Sequence, residues 1–184
     1  DRLAEVPYTD VDYRVVTEAA ESVALGLSPY AGRTPLLEAE ATRFRYTPLL
    51  AFLLLPNVWL FSAWGKLLFS ALDLAAAYFL WGWLEVYARS DAATVRAGLA
   101  LWLFNPFCFT ISTRGSGESV VVLLLYACFC RLHLRGAPLS AAALLALAAH
   151  WRLYPVIYGL PMALSLGGDR AGLWRLLNGP SVAF

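Results

Sequence analysis

The chain has 184 residues, 60% of them hydrophobic and only 15% charged, with a mean hydropathy of +0.61. A soluble domain carries about 45–50% apolar and about 25% charged residues, so this composition excludes an ordinary cytosolic enzyme, and the high hydropathy excludes intrinsic disorder. Fourteen basic and thirteen acidic side chains leave a net charge of +1, without the basic excess that neutralises nucleic-acid phosphates, so no nucleic-acid partner is expected.

Charge is unevenly spread. Residues 1–46 hold eight acidic and five basic side chains, whereas residues 47–184 hold five and nine. The pattern predicts an all-α protein: a polytopic transmembrane helical bundle preceded by a water-facing first loop with short helices. In that loop, Tyr8-Thr9-Asp10-Val11-Asp12-Tyr13 opens an amphipathic helix whose apolar positions are Val15, Val16, Ala19, Val23 and Leu27. Asp10 and Asp12 lie about 200° apart around such a helix. Asp12 falls on the stripe of Val16, Ala19 and Val23, where a carboxylate is costly without a partner or a task. A structural reading competes: Thr9-x-x-Asp12 fits a capping box, and acidic side chains favour a helix N-terminus. Further on, Arg43 and Arg45 alternate with Phe44 and Tyr46, a pattern suited to holding a phosphate between aromatic walls and equally to a solvated loop.

Residues 47–63 are apolar but carry Pro48 and Pro56, which predicts a re-entrant or interfacial helix pair. From residue 64 onward the chain reads as transmembrane helices. Residues 66–88 form the clearest span, apolar except for Asp73 and Glu85, with Trp81, Trp83 and Tyr87 near one end. Asp73 sits about two turns inside it, where a carboxylate is functional or paired by default. Residues 92–113 form a second span kinked at Asn105-Pro106. Gly115-Ser116-Gly117 breaks the chain and 118–134 returns. The stretches 137–150 and 153–167 are shorter, with His150-Trp151-Arg152 between them. Cys108, Cys128 and Cys130 all lie in apolar stretches and read as small buried hydrophobes, Cys128 and Cys130 on different helix faces.

If each stretch crosses once, Arg89 and Arg96, then Arg131, His133 and Arg135, then Arg170 and Arg175 gather on one side. Arg114, Glu118, His150 and Arg152 join residues 1–46 on the other. The positive-inside rule puts the arginine-rich loops in the cytoplasm and the first loop in the lumen. Arg114 with Glu118, and His150 with Arg152, read either as site residues or as interfacial anchors of helix ends. Gathered on one surface with a carboxylate, such groups suit a reaction on an amphipathic lipid phosphate.

The runs YTDVDYRVVTEAAESVALGLSPY, RFRYTPLLAFLLLPN, FNPFCFTISTRGSGES and HWRLYPVIYGLP resemble, in this order, the catalytic subunits of the GPI mannosyltransferase 1 family, polytopic glycosyltransferases of the GT-C superfamily. The chain departs from the family at Arg152, where the family carries Lys. The resemblance implies transfer of mannose from dolichyl-phosphate-mannose to glucosaminyl-(acyl)phosphatidylinositol. It implies an inverting reaction that forms an α-1,4 linkage on the luminal side of the endoplasmic reticulum membrane. It matches Asp10-Val11-Asp12 to the family's DxD-type motif, with Asp12 the first choice for catalytic base and Asp10 the second. Arg114, Arg152 and Arg45, in that order, are the expected phosphate contacts, with Glu118 and His150 in the same substrate-binding set. No metal and no cofactor are expected, because arginines can neutralise a lipid monophosphate. A small stabilising membrane subunit is the implied protein partner. The chain is expected to be the N-terminal part of such a protein, lacking its first and its later helices. A transporter, suggested by Asp73 and the proline-interrupted helices, and a non-catalytic membrane scaffold are the competing readings.

Overall fold

The computed structural model describes residues 8–30, 44–87 and 91–167, and every regular element among them is helical. Helix α1 (Val11–Ala24) lies on the polar side of the sequence. Its buried residues, Tyr13, Val15, Val16, Ala19 and Ala20, follow the three- and four-residue spacing that places them on one face. Two short helices follow, α2 (Pro48–Leu53) and α3 (Leu55–Trp59), each with a proline in its first turn, where a missing N–H costs nothing.

Helix α4 (Trp64–Tyr87) is long and apolar enough to cross a membrane, with 22% of its most apolar 18-residue stretch buried within the chain. It starts two residues before the predicted 66–88. Leu67, Leu74, Tyr78 and Trp81 on its surface are exposed, which is the pattern of a lipid-facing helix rather than of a soluble core helix. Helices α5 (Ala92–Leu103) and α6 (Pro106–Thr113) meet at a 44° bend. Pro106 has no N–H for the helical ladder, and the Asn105 side chain restarts α6 by accepting from the Phe107 N–H at 2.9 Å. Helix α7 (Glu118–Phe129) runs on through a π-helical turn (Cys130–Leu134). Gly136, at φ 56°, then reverses the chain into α8 (Pro138–Trp151). A 3-10 turn (Tyr154–Tyr158) leads into α9 (Gly159–Gly167).

The all-helical class therefore holds among the described residues. Among the described residues, α4 alone has the length and composition of a span, and the bent pair α5–α6 makes a second if it crosses as one. Prolines and the π-helical turn cut the remaining apolar stretches into shorter pieces. Helix α4 packs most extensively on α7, and α7 on α8. The buried faces are rich in small residues, Gly65, Ala76 and Ala77 on α4, Ser119 and Ala127 on α7, Ala141 and Ala148 on α8, which let helix backbones approach closely without a hydrophobic driving force. Cys128 and Cys130 do face different neighbours: the first donates to the Ala141 carbonyl, the second to that of Phe79.

Candidate active site where four helix ends meet

The N-terminus of α1 is pinned to the end of α6. Asp10 is its N-cap, with the side chain accepting from the Asp12 N–H at 3.3 Å, while the Asp10 N–H donates to the Arg114 carbonyl at 2.9 Å. This corrects the capping box expected from Thr9-x-x-Asp12. The Thr9 hydroxyl accepts instead from the Lys66 ammonium at 2.9 Å, which also reaches the Tyr8 carbonyl at 2.9 Å. The ammonium therefore bonds to the chain ahead of the cap, and capping falls to the next residue with a short acceptor side chain. Tyr8 also bonds the Thr113 hydroxyl.

Behind Asp12, the helix is held by a buried polar hub. The Tyr13 hydroxyl proton is shared between the Ser62 carbonyl at 2.7 Å and Asn57 Oδ1 at 3.1 Å. Asn57 Oδ1 also accepts from the Gly65 N–H at 2.8 Å, and its amide donates to Thr17 Oγ1 at 3.0 Å. One buried asparagine thus joins α1, α3 and α4. Burial raises the Tyr13 phenol above its ordinary 10.0, so it stays a donor throughout the physiological range.

Asp12 is half-buried and opens a chain of polar groups. The Tyr46 hydroxyl faces both the Asp12 carboxylate and the Arg152 guanidinium; burial, and then the Asp12 carboxylate, push its pKa upward, with Arg152 opposing. The Arg152 guanidinium carbon lies 4.6 Å from the centre of the Tyr46 ring. Arg152 Nε makes an ion pair with Glu118 Oε1 at 2.9 Å, and the other Glu118 oxygen accepts from the Tyr154 hydroxyl at 3.0 Å. Because the pair uses Nε, the four N–H bonds on the two Nη amines remain as further donors in a planar fork suited to phosphate oxygens. Nearby, His150 Nε2 and the Thr47 hydroxyl are 2.9 Å apart, and Trp151 Nε1 donates to the Gly117 carbonyl at 3.1 Å, tying the end of α8 to the start of α7.

Of the seven candidate residues, Asp10, Asp12, Arg114, Glu118, His150 and Arg152 thus sit at the meeting point of the ends of α1, α6, α7 and α8. Arg45, exposed beside buried Phe44, is adjacent in sequence to Tyr46. Arg43 lies outside the described residues, as do Arg89, Arg170 and Arg175 of the predicted topology. Asp73 is not in this group; it faces Ser112 and Ser119 across the α4–α6–α7 packing. A cavity of about 550 Å³ at the other end of α4, lined by Tyr78, Trp81, Glu85, Arg131 and Arg135 among others, holds none of the candidates. Sequence reasoning names Tyr46 only as an aromatic wall beside Arg45 and misses Tyr154, Asn57 and Lys66; only the fold reveals the partners of all four. Among the described residues no three His, Cys, Asp or Glu side chains cluster as a metal site.

A guanidinium fork, a half-buried carboxylate and phenol donors on one surface are the parts that acyl or glycosyl transfer from a phosphate leaving group requires. The family described as Mannosyltransferase (PIG-M) matches residues 111–177, the stretch that holds Arg114, Glu118, His150, Arg152 and Tyr154. Over most of the chain, three curated proteins align. "GPI mannosyltransferase 1" of Dictyostelium discoideum is 42% identical over 86% of this chain and 34% of its own length. "GPI alpha-1,4-mannosyltransferase I, catalytic subunit" of Danio rerio is 43% identical over 90% and 40%. The "GPI mannosyltransferase 1" of Gibberella zeae is 44% identical over 94% and 38%. The chain is similar to the PIG-M mannosyltransferase family over residues 111–177 and to these relatives over most of its own length. It spans about a third to two fifths of the length of these relatives. No solved structure matches it. As the PIG-M family model begins at residue 111, the α1 carboxylates fall outside it.

Proposed function

We propose that this chain carries the donor and base side of a luminal mannosyltransferase in the endoplasmic reticulum membrane. It moves mannose from dolichyl-phosphate-mannose to the glucosamine of glucosaminyl-(acyl)phosphatidylinositol, forms an α-1,4 linkage with inversion, and works with a small stabilising membrane subunit. The observation that carries the reading is the cluster of Arg152, Glu118 and Tyr154, with the Arg152 guanidinium over the Tyr46 ring and Asp12 close enough to act on the Tyr46 hydroxyl. Asp12 takes the proton of the acceptor 4-hydroxyl as that oxygen attacks the mannose C1. The C1–O bond to the phosphate breaks on the opposite face, and the electron pair leaves with dolichyl phosphate. Arg152, with Arg114 and Arg45 as further cations, stabilises the charge growing on the phosphate, and Glu118 and Tyr154 hold the Arg152 fork in place. Asp10 caps the helix that presents Asp12.

The test is transfer of labelled mannose from dolichyl-phosphate-mannose to glucosaminyl-phosphatidylinositol by the purified intact protein, with Asp12→Asn beside wild type. Asp12→Asn lowers turnover by about 10²-fold or more at an unchanged melting temperature. Wild-type turnover in Asp12→Asn removes it as the base. Movement of a solute across proteoliposomes without any glycosylated product favours transport instead.

A further inference from the structure

Tyr13 directly follows Asp12, and its ring is gripped by backbone on two sides. A Cβ added to Gly115 would come within 2.4 Å of Tyr13 Cδ2, and one added to Gly65 within 2.7 Å of Tyr13 Cε2 and 2.6 Å of Leu54 Cδ2. All three distances are below any real carbon–carbon contact, which is near 3.5–4.0 Å. Only glycine therefore permits the ring to sit there. Gly115 carries a second constraint, since its φ of 96° is a conformation that residues with a Cβ rarely adopt. The neighbouring Arg114 carbonyl accepts from the Asp10 N–H, so one two-residue segment touches both the backbone of Asp10 and the ring of Tyr13. On the far side, the Tyr13 hydroxyl is fixed by Ser62 and Asn57.

We infer that Tyr13, clasped between Gly65 at the start of α4 and Gly115 after α6, is a positioning residue that sets where α1 presents Asp10 and Asp12. The inference rests on the proposed roles of those carboxylates. Tyr13 itself is buried with its hydroxyl already engaged. Its influence passes through the backbone, because Asp12 is the adjacent residue, with Cα atoms about 3.8 Å apart. A Cβ at Gly65 displaces the ring by roughly 1 Å to restore ordinary contact, and the first turn of α1 moves with it. A misplacement of that size at a reacting group costs up to about 10²-fold in turnover.

Gly65→Ala is the discriminating variant, because Ala is the better helix former and the change leaves the helix intrinsically stronger. In the transfer assay with the purified intact protein, it lowers kcat by about 10-fold to 100-fold and leaves KM for dolichyl-phosphate-mannose within about twofold, since the arginines that hold the donor are untouched. Combining it with Tyr13→Leu, which removes the clashing ring edge, makes the two losses non-additive. Tyr13→Phe keeps the ring and removes only the shared proton; it lowers kcat by about fivefold at the same KM and decides the matter if Gly65→Ala does not accumulate. Unchanged kcat in a folded Gly65→Ala or Tyr13→Phe variant, a rise in donor KM that accounts for the whole effect, or strict additivity with Tyr13→Leu overturns the inference. Absence of mannose transfer by wild type overturns the proposed function instead.

Discussion

Replacing Asn57 with Ala tests whether the hub behind Asp12 holds α1 on the bundle. Asn57 is 6% exposed and makes three hydrogen bonds, with Tyr13, Gly65 and Thr17. At about 1 kcal/mol net for each, their loss costs about 3 kcal/mol. The three are unequal. Tyr13 can still donate to the Ser62 carbonyl, and the Thr17 hydroxyl still donates to the Tyr13 carbonyl at 2.8 Å. The Gly65 N–H has no such alternative, because it belongs to the first turn of α4, where no intrahelical acceptor exists. For a chain of this size, about 3 kcal/mol lowers the melting temperature by about 6–12 °C. Thermal unfolding of the intact protein in detergent, followed by loss of tryptophan fluorescence, reads this directly. Thr17→Val, which removes a single bond to the hub, shifts the midpoint by about 2–4 °C on the same scale. A drop below about 2 °C for Asn57→Ala, or a larger drop for Thr17→Val than for Asn57→Ala, refutes the assignment of Asn57 as the joint between α1, α3 and α4.

Arg152→Lys keeps the cation within reach of Glu118 and retains mannose transfer within about threefold, whereas Arg152→Gln lowers kcat by about 10²-fold or more; equal turnover in the two variants argues against Arg152 as the phosphate contact. Alkaline stability follows the tyrosines. Burial raises the Tyr13 pKa above 10.0, so its contribution is complete below pH 10, where folded and unfolded chains both keep the proton. It is lost as pH rises from 10 through the folded value, because the unfolded chain deprotonates first. Melting temperature against pH therefore falls less steeply above pH 10 in Tyr13→Phe than in wild type, and identical slopes remove Tyr13 as the source. Mannose transfer persists after exhaustive EDTA treatment, since arginines suffice to neutralise a monophosphate leaving group; loss of activity restored by a divalent cation contradicts that account.

The helices were legible because apolar length and proline position are local properties. The α4 helix, the break at Asn105-Pro106 and the turn after residue 134 all follow from such signals, and their observed bounds lie within a few residues of the expected ones. The exact cap of α1 was not legible, because Thr9 and Asp10 are both good cap residues. The choice between them depends on Lys66, 57 positions away, whose ammonium bonds the Thr9 hydroxyl. The gathering of Asp12, Arg114, Glu118 and Arg152 was expected from their placement at the ends of apolar stretches, but their pairing was not legible. Arg114 and Glu118, four residues apart, invite an ion pair, yet Glu118 pairs with Arg152, 34 positions away. The extended backbone at Arg152, φ −141° and ψ 138°, turns the chain out of α8 there and ends the helical register on which a sequence estimate of direction depends.

The site and its supports differ in their exposure, and the difference separates two kinds of substitution. Asp12, Arg114, Glu118 and Arg152 are partly open to solvent. A half-exposed ion pair such as Arg152 with Glu118 contributes at most about 1 kcal/mol to folding, so changes there act on activity with little effect on stability. Tyr13, Asn57, Gly65 and Gly115 are buried and bind α1 to α3, α4 and the end of α6, so changes there act on both. The two groups meet at adjacent residues, Asp12 and Tyr13, so a one-residue shift in the register of α1 would bury the carboxylate and expose the ring. The cap at Asp10 and the hub at Asn57 each resist that shift from opposite ends of the first turns of α1. A variant that loses only one anchor therefore retains the register and loses precision, and only loss of both, as in Asp10→Ala combined with Asn57→Ala, releases α1 from the bundle.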